Sequence, residues 1–152
     1  MLTIVPYKSN FAENFKELNL AWINAYFKVE DKDIELLEKS EISIIGKGGY
    51  IFMALWNDVP VGCFALLKQS PSAYELSKMA VAETYRGLKI GQHMLSYAIE
   101  FGKKNSWKSI FLYSSTKLYT ALHIYKKFGF KQVALENNQS YLRSDIKMDL
   151  TL

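Results

Sequence analysis

Residues 75–92, ELSKMAVAETYRGLKIGQ, decide how the rest of the chain is read. Residues 75–81 suit a strand, residues 82–85 are polar and turn-like, and from Arg86 the run Arg-Gly-Leu-Lys-Ile-Gly passes into an amphipathic helical pattern over 93–101. A turn that feeds a helix leaves backbone N–H groups unpaired, and the helix dipole adds partial positive charge there. Such an end binds phosphate. Gly87 and Gly91 allow backbone conformations and a close ligand approach that side chains would block, and Arg86 adds a guanidinium. The stretch contains neither G-x-x-x-x-G-K-[ST] nor G-x-G-x-x-G, so it is not a P-loop or a dinucleotide fingerprint.

The stretch does resemble motif A of the GCN5-related N-acetyltransferases (GNAT), [Q/R]-x-x-G-x-[G/A] after a strand. In that family the loop amides hold the pyrophosphate of acetyl-coenzyme A. Arg86, Ile90 and Gly91 match, while Lys89 stands at the central glycine. If that position needs φ > 0, a lysine is strained by ~1 kcal/mol or more. The expectation is a slightly altered turn in which Lys89 adds positive charge near a phosphate. The resemblance implies that Arg86, Gly87, Leu88, Lys89, Ile90, Gly91 and Gln92 bind the coenzyme, and that Met79, Ala80 and Val81 face it from the strand.

The chain has 152 residues, 49% hydrophobic and 22% charged, which is enough for one globular domain with a substantial core spanning 1–152. No apolar run approaches the ~20 residues of a membrane span, and the first residues lack the basic leader of a signal peptide. A cytoplasmic protein without a membrane partner is the expectation. The net charge of +4 comes from scattered lysines rather than a basic stripe, which argues against nucleic acid as a partner but suits a cofactor with three phosphates. The single cysteine, Cys63, lies in an apolar strand and reads as structural; no Cys, His and carboxylate cluster has metal-site spacing, so no metal is expected.

Along the chain, strands are expected at 2–6, 50–56, 59–68, 75–81, 108–114, 130–134 and 145–150, the last two separated by the polar segment 136–140. Helices are expected at 10–24 with Asn10 as N-cap, at 31–39 with Ile34, Leu37 and also Leu36 inward, at 91–104 and at 118–128. In strand 75–81 simple alternation puts Glu75, Ser77, Met79 and Val81 on one face and Leu76, Lys78 and Ala80 on the other. Strand 108–114 follows a crossover helix and should lie parallel to it.

This order resembles the whole GNAT acyl-CoA N-acyltransferase fold. The fold class is α/β (α+β), a mixed and mostly antiparallel sheet with splayed central strands and about four flanking helices. ALHIYKKFGF, from Ala121, matches the family's A-x-x-[LI]-Y-x-x-x-G-F, and this piece with WINAYFKVEDKD, KGGYIF, ELSKMAV and YLRSDIKMDL resembles a bacterial subset sometimes fused to MarR-type regulators. Leu118 stands where many members have a coenzyme-touching asparagine, so the resemblance implies that this contact is absent or replaced by Ser114 and Ser115.

Acetyl transfer to an amine needs a proton acceptor, a held oxyanion and a protonated leaving thiolate. An amine of pKa ~10.4 is charged at neutral pH and must lose its proton, often to a carboxylate through water. Glu75 occupies the position resembling the catalytic glutamate of histone-acetylating members; the bland alternative is a strand-end carboxylate. Tyr125 matches the family's general acid beside the thioester sulfur, although it also lies on the apolar stripe of its helix. Backbone N–H near Met79 or Ala80 is the expected oxyanion donor. Trp22, Tyr26, Phe27, Tyr141 and Arg143 are candidates for the acceptor pocket, and Arg143 could pair with an acceptor carboxylate.

The resemblance implies an N-acetyltransferase that uses acetyl-CoA as cosubstrate on a small-molecule or peptide amine, with a homodimer among the arrangements of its relatives. A second reading is a non-catalytic acyl-CoA sensor or interaction module, supported by Lys89 and Leu118.

Overall fold

The computed structural model describes residues 1–137 and 141–152, so the polar stretch 136–140 falls largely outside it. In chain order the elements are β1 (Leu2–Pro6), α1 (Ala12–Tyr26), α2 (Asp31–Glu38), α3 (Ser40–Ser43), β2 (Tyr50–Trp56), β3 (Val59–Ser70), β4 (Ala73–Val81), α4 (Ile90–Lys104), β5 (Ser109–Ser114), α5 (Tyr119–Lys127), β6 (Lys131–Val133) and β7 (Ile146–Thr151). The single-turn α3 follows directly on α2, where the sequence reading expected no helix. The strands form one seven-stranded sheet in the order β1-β2-β3-β4-β5-β7-β6. Its neighbours are antiparallel except β4 and β5, which are parallel as their crossover helix requires. This is the GNAT acyl-CoA N-acyltransferase fold. Among the described residues, no helix is long and apolar enough to cross a membrane.

Each face of the sheet has its own core. Ile90, Met94, Leu95, Ala98 and Ile99 of α4 pack on one face with Phe52, Phe64, Leu76 and Ile110, and α5 lies against the same cluster. Phe15 and Ile23 of α1 and Leu36 and Leu37 of α2 pack on the other with Met53, Cys63 and Ala65. Two helix faces differ from expectation. On α1 the fully buried row is Phe15, Asn19 and Ile23, and a 3-10 turn at Ser9–Phe11 replaces the Asn10 cap. On α2 the inward residues are Asp33, Leu36 and Leu37, while Ile34 faces solvent. The hairpin between β2 and β3 turns at Asn57 and Asp58 with φ of 48 and 69, the left-handed pair that a two-residue hairpin requires even without glycine.

Two features of β4 shape the molecule. It pairs with β5 only through Ala73, Tyr74 and Glu75, and beyond Glu75 the strands part. At the paired end Tyr74 stacks on Trp107 with centroids 3.6 Å apart, and Tyr50 and Phe101 close the cluster edge-on. Along its other edge β4 carries a bulge. Cys63 opposes Ala80 and Ala65 opposes Ser77, so Phe64 faces both Lys78 and Met79, and Lys78 takes φ of 53. The bulge reverses the alternation of side chains: Met79 and Val81 join the α4 side with Leu76, and Ala80 joins the α1 and α2 side. The expectation of one face for Glu75, Ser77, Met79 and Val81 is therefore corrected, because an inserted residue shifts the period-two pattern by one.

Candidate active site

A cavity of roughly 660 Å3 runs along β4 from Glu75 to the start of α4. Its floor is β4 itself. One wall is Leu112, Tyr113, Ser114 and Ser115 of β5 and the residue after it, with Ile124 and Tyr125 of α5; the other is Asn19, Trp22, Ile23 and Tyr26 of α1 and Phe27 just after it. Glu75, Met79, Ala80, Val81, Arg86, Gly87, Lys89, Ile90, Gly91, Gln92, Ser115 and Tyr125 all line it. Leu88, grouped with them in the sequence reading, is absent from the lining and stands 46% exposed.

At the open end the chain leaves β4 through a 3-10 turn, Glu83–Tyr85, and enters α4 at Ile90. Lys89 is the N-cap residue with φ of 60 and ψ of 24, and makes no side-chain cap. The turn is thus not altered to suit lysine: the left-handed backbone of a glycine turn is kept and Lys89 bears the strain, correcting the sequence expectation. A Cβ placed on Gly87 or Gly91 would meet nothing within 4 Å, so both glycines face open space above the helix end. Those open faces, the unpaired first-turn amides and the dipole of a fifteen-residue helix fit an anionic pyrophosphate. Arg86 reaches from this turn to the hydroxyl of Tyr26 at 3.1 Å.

At the closed end Glu75 is the last residue of β4 paired to β5. Burial pushes its carboxyl up to about 7, against the pull of Lys78, Lys32 and Lys147. Such a group switches charge close to neutral pH, which suits a proton acceptor. Burial also pushes the Tyr125 phenol up to about 12, so it holds its proton across the physiological range. Across the cleft Tyr113 donates to Glu136 at 2.8 Å, and Lys147 pairs with the same carboxylate. Ser115 is buried and its hydroxyl accepts the Lys117 N–H at 3.2 Å, which orients the loop that opens α5. His93 and His123 are exposed.

The sequence reading missed a buried charge cluster beside the cavity. Lys78, on the bulge, donates to Asp33 at 2.7 Å and to the Tyr141 hydroxyl at 2.8 Å. Arg143 grips both oxygens of Asp33 at 2.7 and 2.8 Å and reaches Glu30 at 3.3 Å. Burial favours the neutral Asp33 acid, yet hydrogen bonds from Arg143, Lys78 and the Glu30 N–H hold its carboxyl down at about 2. Arg143 is therefore committed within the fold rather than held out to an acceptor carboxylate. Behind the bulge the Cys63 thiol donates to the Lys78 carbonyl at 3.6 Å and accepts from Asn19 at 3.3 Å. Burial pushes that thiol up to about 12, so Cys63 is a structural hydrogen-bonding group and not a thiolate.

A signal for the cluster was present in the sequence. Alternation set Lys78 between Leu76 and Ala80, and a lysine on an apolar face requires a carboxylate partner. Only the tertiary fold shows that the partner is Asp33.

Comparison with known proteins gives one consistent result. A family model described as the acetyltransferase (GNAT) family matches residues 15–130. A probable N-acetyltransferase 14 of Xenopus tropicalis is 31% identical over 83 residues, covering 53% of this chain and 40% of that protein. An uncharacterized N-acetyltransferase of Schizosaccharomyces pombe is 32% identical over 72 residues, covering 47% of this chain and 44% of that protein. The chain thus aligns with under half the length of either curated relative. Among solved structures, a GNAT-family acetyltransferase of Staphylococcus aureus superposes with a TM-score of 0.87 at 23% identity, covering 99% of both chains. The PaiA N-acetyltransferase of Thermoplasma acidophilum, solved with coenzyme A, superposes at 0.78 with 18% identity over 100% of this chain and 99% of that one. At these identities the structures speak for the fold.

Two stability outcomes are expected. Lys89→Gly removes the left-handed strain and should raise unfolding free energy by about 1 kcal/mol, read as a higher urea midpoint at unchanged slope; a lower midpoint would mean that lysine's own contacts outweigh the strain. Glu75 is favoured as the neutral acid in the fold, so its contribution is fully present below pH 4.5 and is lost as pH rises through about 7, by up to roughly 3 kcal/mol. Glu75→Gln should then match wild type at pH 4 and exceed it at pH 8; an equal difference at both would show that this carboxyl does not titrate as its burial demands.

Proposed function

The chain belongs to the acetyltransferase (GNAT) family, and from that premise we propose that it is an N-acetyltransferase moving the acetyl group of acetyl-CoA directly onto a primary amine. The observation that carries this reading is the continuity of one cleft. It has a carboxylate poised to titrate at its closed end and, at the other, a helix N-terminus without a side-chain cap and with two glycines facing open space.

Bound acetyl-CoA supplies the activated acyl group. In this reading the amides from Arg86 to Gln92 take its pyrophosphate, and the edge of β4 that β5 has left, at Met79 to Val81, takes the pantothenate arm as an added strand. Glu75 accepts the proton of the incoming ammonium, directly or through water, and the freed amine nitrogen bonds to the acyl carbon. Backbone amides at Met79 or Ala80, at the bulge in β4, hold the oxyanion. As the carbon–sulfur bond breaks, Tyr125 donates its phenolic proton to the thiolate, and the phenolate takes up the remaining proton of the adduct nitrogen, which leaves as the neutral amide. The α1 aromatics Trp22, Tyr26 and Phe27 form the acceptor side.

The charges narrow the acceptor. Glu75 is the single carboxylate among the described residues lining the cavity, against Lys78, Arg86, Lys89, Lys117 and Arg143. A polyamine would bring further cations with no carboxylate to meet them, whereas a monoamine with an apolar body suits the aromatic wall. A free-thiol release assay over a panel of amines should therefore give higher kcat/KM for phenylalkyl or peptide N-terminal amines than for spermidine, and the reverse order would overturn this assignment.

The central test combines calorimetric titration with acetyl-CoA and turnover of the best acceptor. Tyr125→Phe should lower kcat by about a hundredfold or more with little change in coenzyme affinity. Wild-type kcat/KM should climb as pH rises through about 7, and Glu75→Gln should abolish that limb. Turnover near wild type in the Tyr125 variant would remove it as general acid. Tight acetyl-CoA binding with no turnover on any amine would favour the non-catalytic module.

A further inference from the structure

Lys78 is a lysine where the fold gives lysine least reason to be. Its backbone is left-handed at the bulge, and its side chain is only 3% exposed. The ammonium is held by Asp33 at 2.7 Å and by the Tyr141 hydroxyl at 2.8 Å, and lies 4.6 Å from the centre of the Tyr141 ring. Asp33 is in turn gripped by Arg143, whose guanidinium lies 4.2 Å from the same ring and continues to Glu30. One ammonium thus ties β4 to the first turn of α2 and to residues 141–143. Stability alone does not account for this arrangement, since an apolar side chain of the same length would avoid the desolvation that a buried ion pair carries.

The charge has a neighbour on which it acts. Glu75 lies three residues earlier on β4 and lines the same cavity as Lys78, which is foremost among the charges that favour its ionised form. The other groups facing Glu75 are Lys32 of α2, Lys147 of β7, Glu136 after β6, Tyr113 of β5 and Tyr141. Lys147 is already paired with Glu136, and Lys32 is exposed and paired with Glu35 at 3.4 Å. Solvent and their own partners weaken both of those cations. Lys78 acts from within the protein, where a charge is screened least.

We propose that Lys78, clamped by Asp33 and Arg143, is a positioning residue for acetyl transfer: it locks the bulge of β4 and holds a buried positive charge beside Glu75, so that this carboxylate is ionised when an amine arrives. The inference rests on the reading of Glu75 as proton acceptor. It adds that the α2 and 141–143 segments, which hold none of the proposed reacting groups, set the protonation state on which the reaction depends.

The test reads Glu75 without turnover. In the unliganded full chain, 13C-labelled glutamate carboxyl resonances are followed against pH, and Glu75 is assigned by the signal missing from E75Q. In K78M the midpoint should move upward by about one unit, because a nearby positive charge has been removed while burial remains. The double variant K78M/D33N removes the pair together, leaves no unpaired Asp33 carboxylate, and should show the same upward displacement where K78M alone does not fold. In both, the alkaline movement of the carboxyl should be matched by an equal movement of the acidic limb of kcat/KM, with KM for acetyl-CoA little changed. An unmoved Glu75 midpoint in a folded variant lacking Lys78 overturns the proposal. Failure of the acetyltransferase reading looks different: no turnover in wild type, with a Glu75 midpoint that still responds to Lys78.

Discussion

The parting of β4 from β5 after Glu75 is the constraint on which the rest of the structure depends. A strand inside a sheet that loses a neighbour leaves backbone donors and acceptors facing a gap, and such groups need partners. The gap stays open because its closed end is clamped. Tyr74 stacks on Trp107, and the backbone N–H groups of Lys108 and Ser109 both reach Ser72, so the two strands are fastened where they still pair. At the far end the chain passes from β4 into α4, and the helix dipole points into the mouth of the same gap. One strand therefore joins a buried carboxyl to the positive end of a helix.

The bulge adds a second demand, because it strips Lys78 and Met79 of ladder partners in β3. The underside is satisfied locally: the Cys63 thiol takes the Lys78 carbonyl, and Asn19 takes the thiol. The ammonium of Lys78 needs a counter-charge, and Asp33 comes from a helix 45 residues earlier. Asp33 alone would be a costly buried anion, and Arg143 relieves it with two hydrogen bonds. Each group in this chain makes the next one necessary. A strand irregularity thereby dictates where α2 and the segment before β7 must lie.

How much of this was legible in the sequence varied with the range of the interaction. Strands, hairpin and helices followed from local periodicity, and β1 and β2 were bounded to the residue. The glycine-bearing turn before α4 was legible because its chemistry is contiguous. The bulge was not, since an inserted residue depends on the register with β3 and leaves no mark in ELSKMAV other than a lysine among apolar residues. The same limit hid the Asp33–Arg143 pair, whose members are 110 residues apart. At Lys89 local reasoning favoured the cheaper backbone, yet the turn that connects β4 to α4 fixes φ and the side chain conforms to it.

Three of the costs in this molecule lie around the cleft. Lys78 and Lys89 are non-glycine residues with left-handed backbone, and Glu75 is a carboxyl whose ionisation the fold opposes. None of the three improves packing. Residues in such states persist only where surrounding structure over-determines them. Here the two faces of the sheet supply that surplus, with Phe15, Ile23 and Met53 on one side and Phe64, Met94 and Leu95 on the other, all buried to within about a percent. Relieving the strain at Lys89 or replacing the buried Glu75 carboxyl would make the chain more stable, whereas removing Lys78 alone would take a partner from the buried Asp33 carboxylate. All three lie on a single strand and the turn that follows it, so the strand that opens the cleft is also the one that carries these costs.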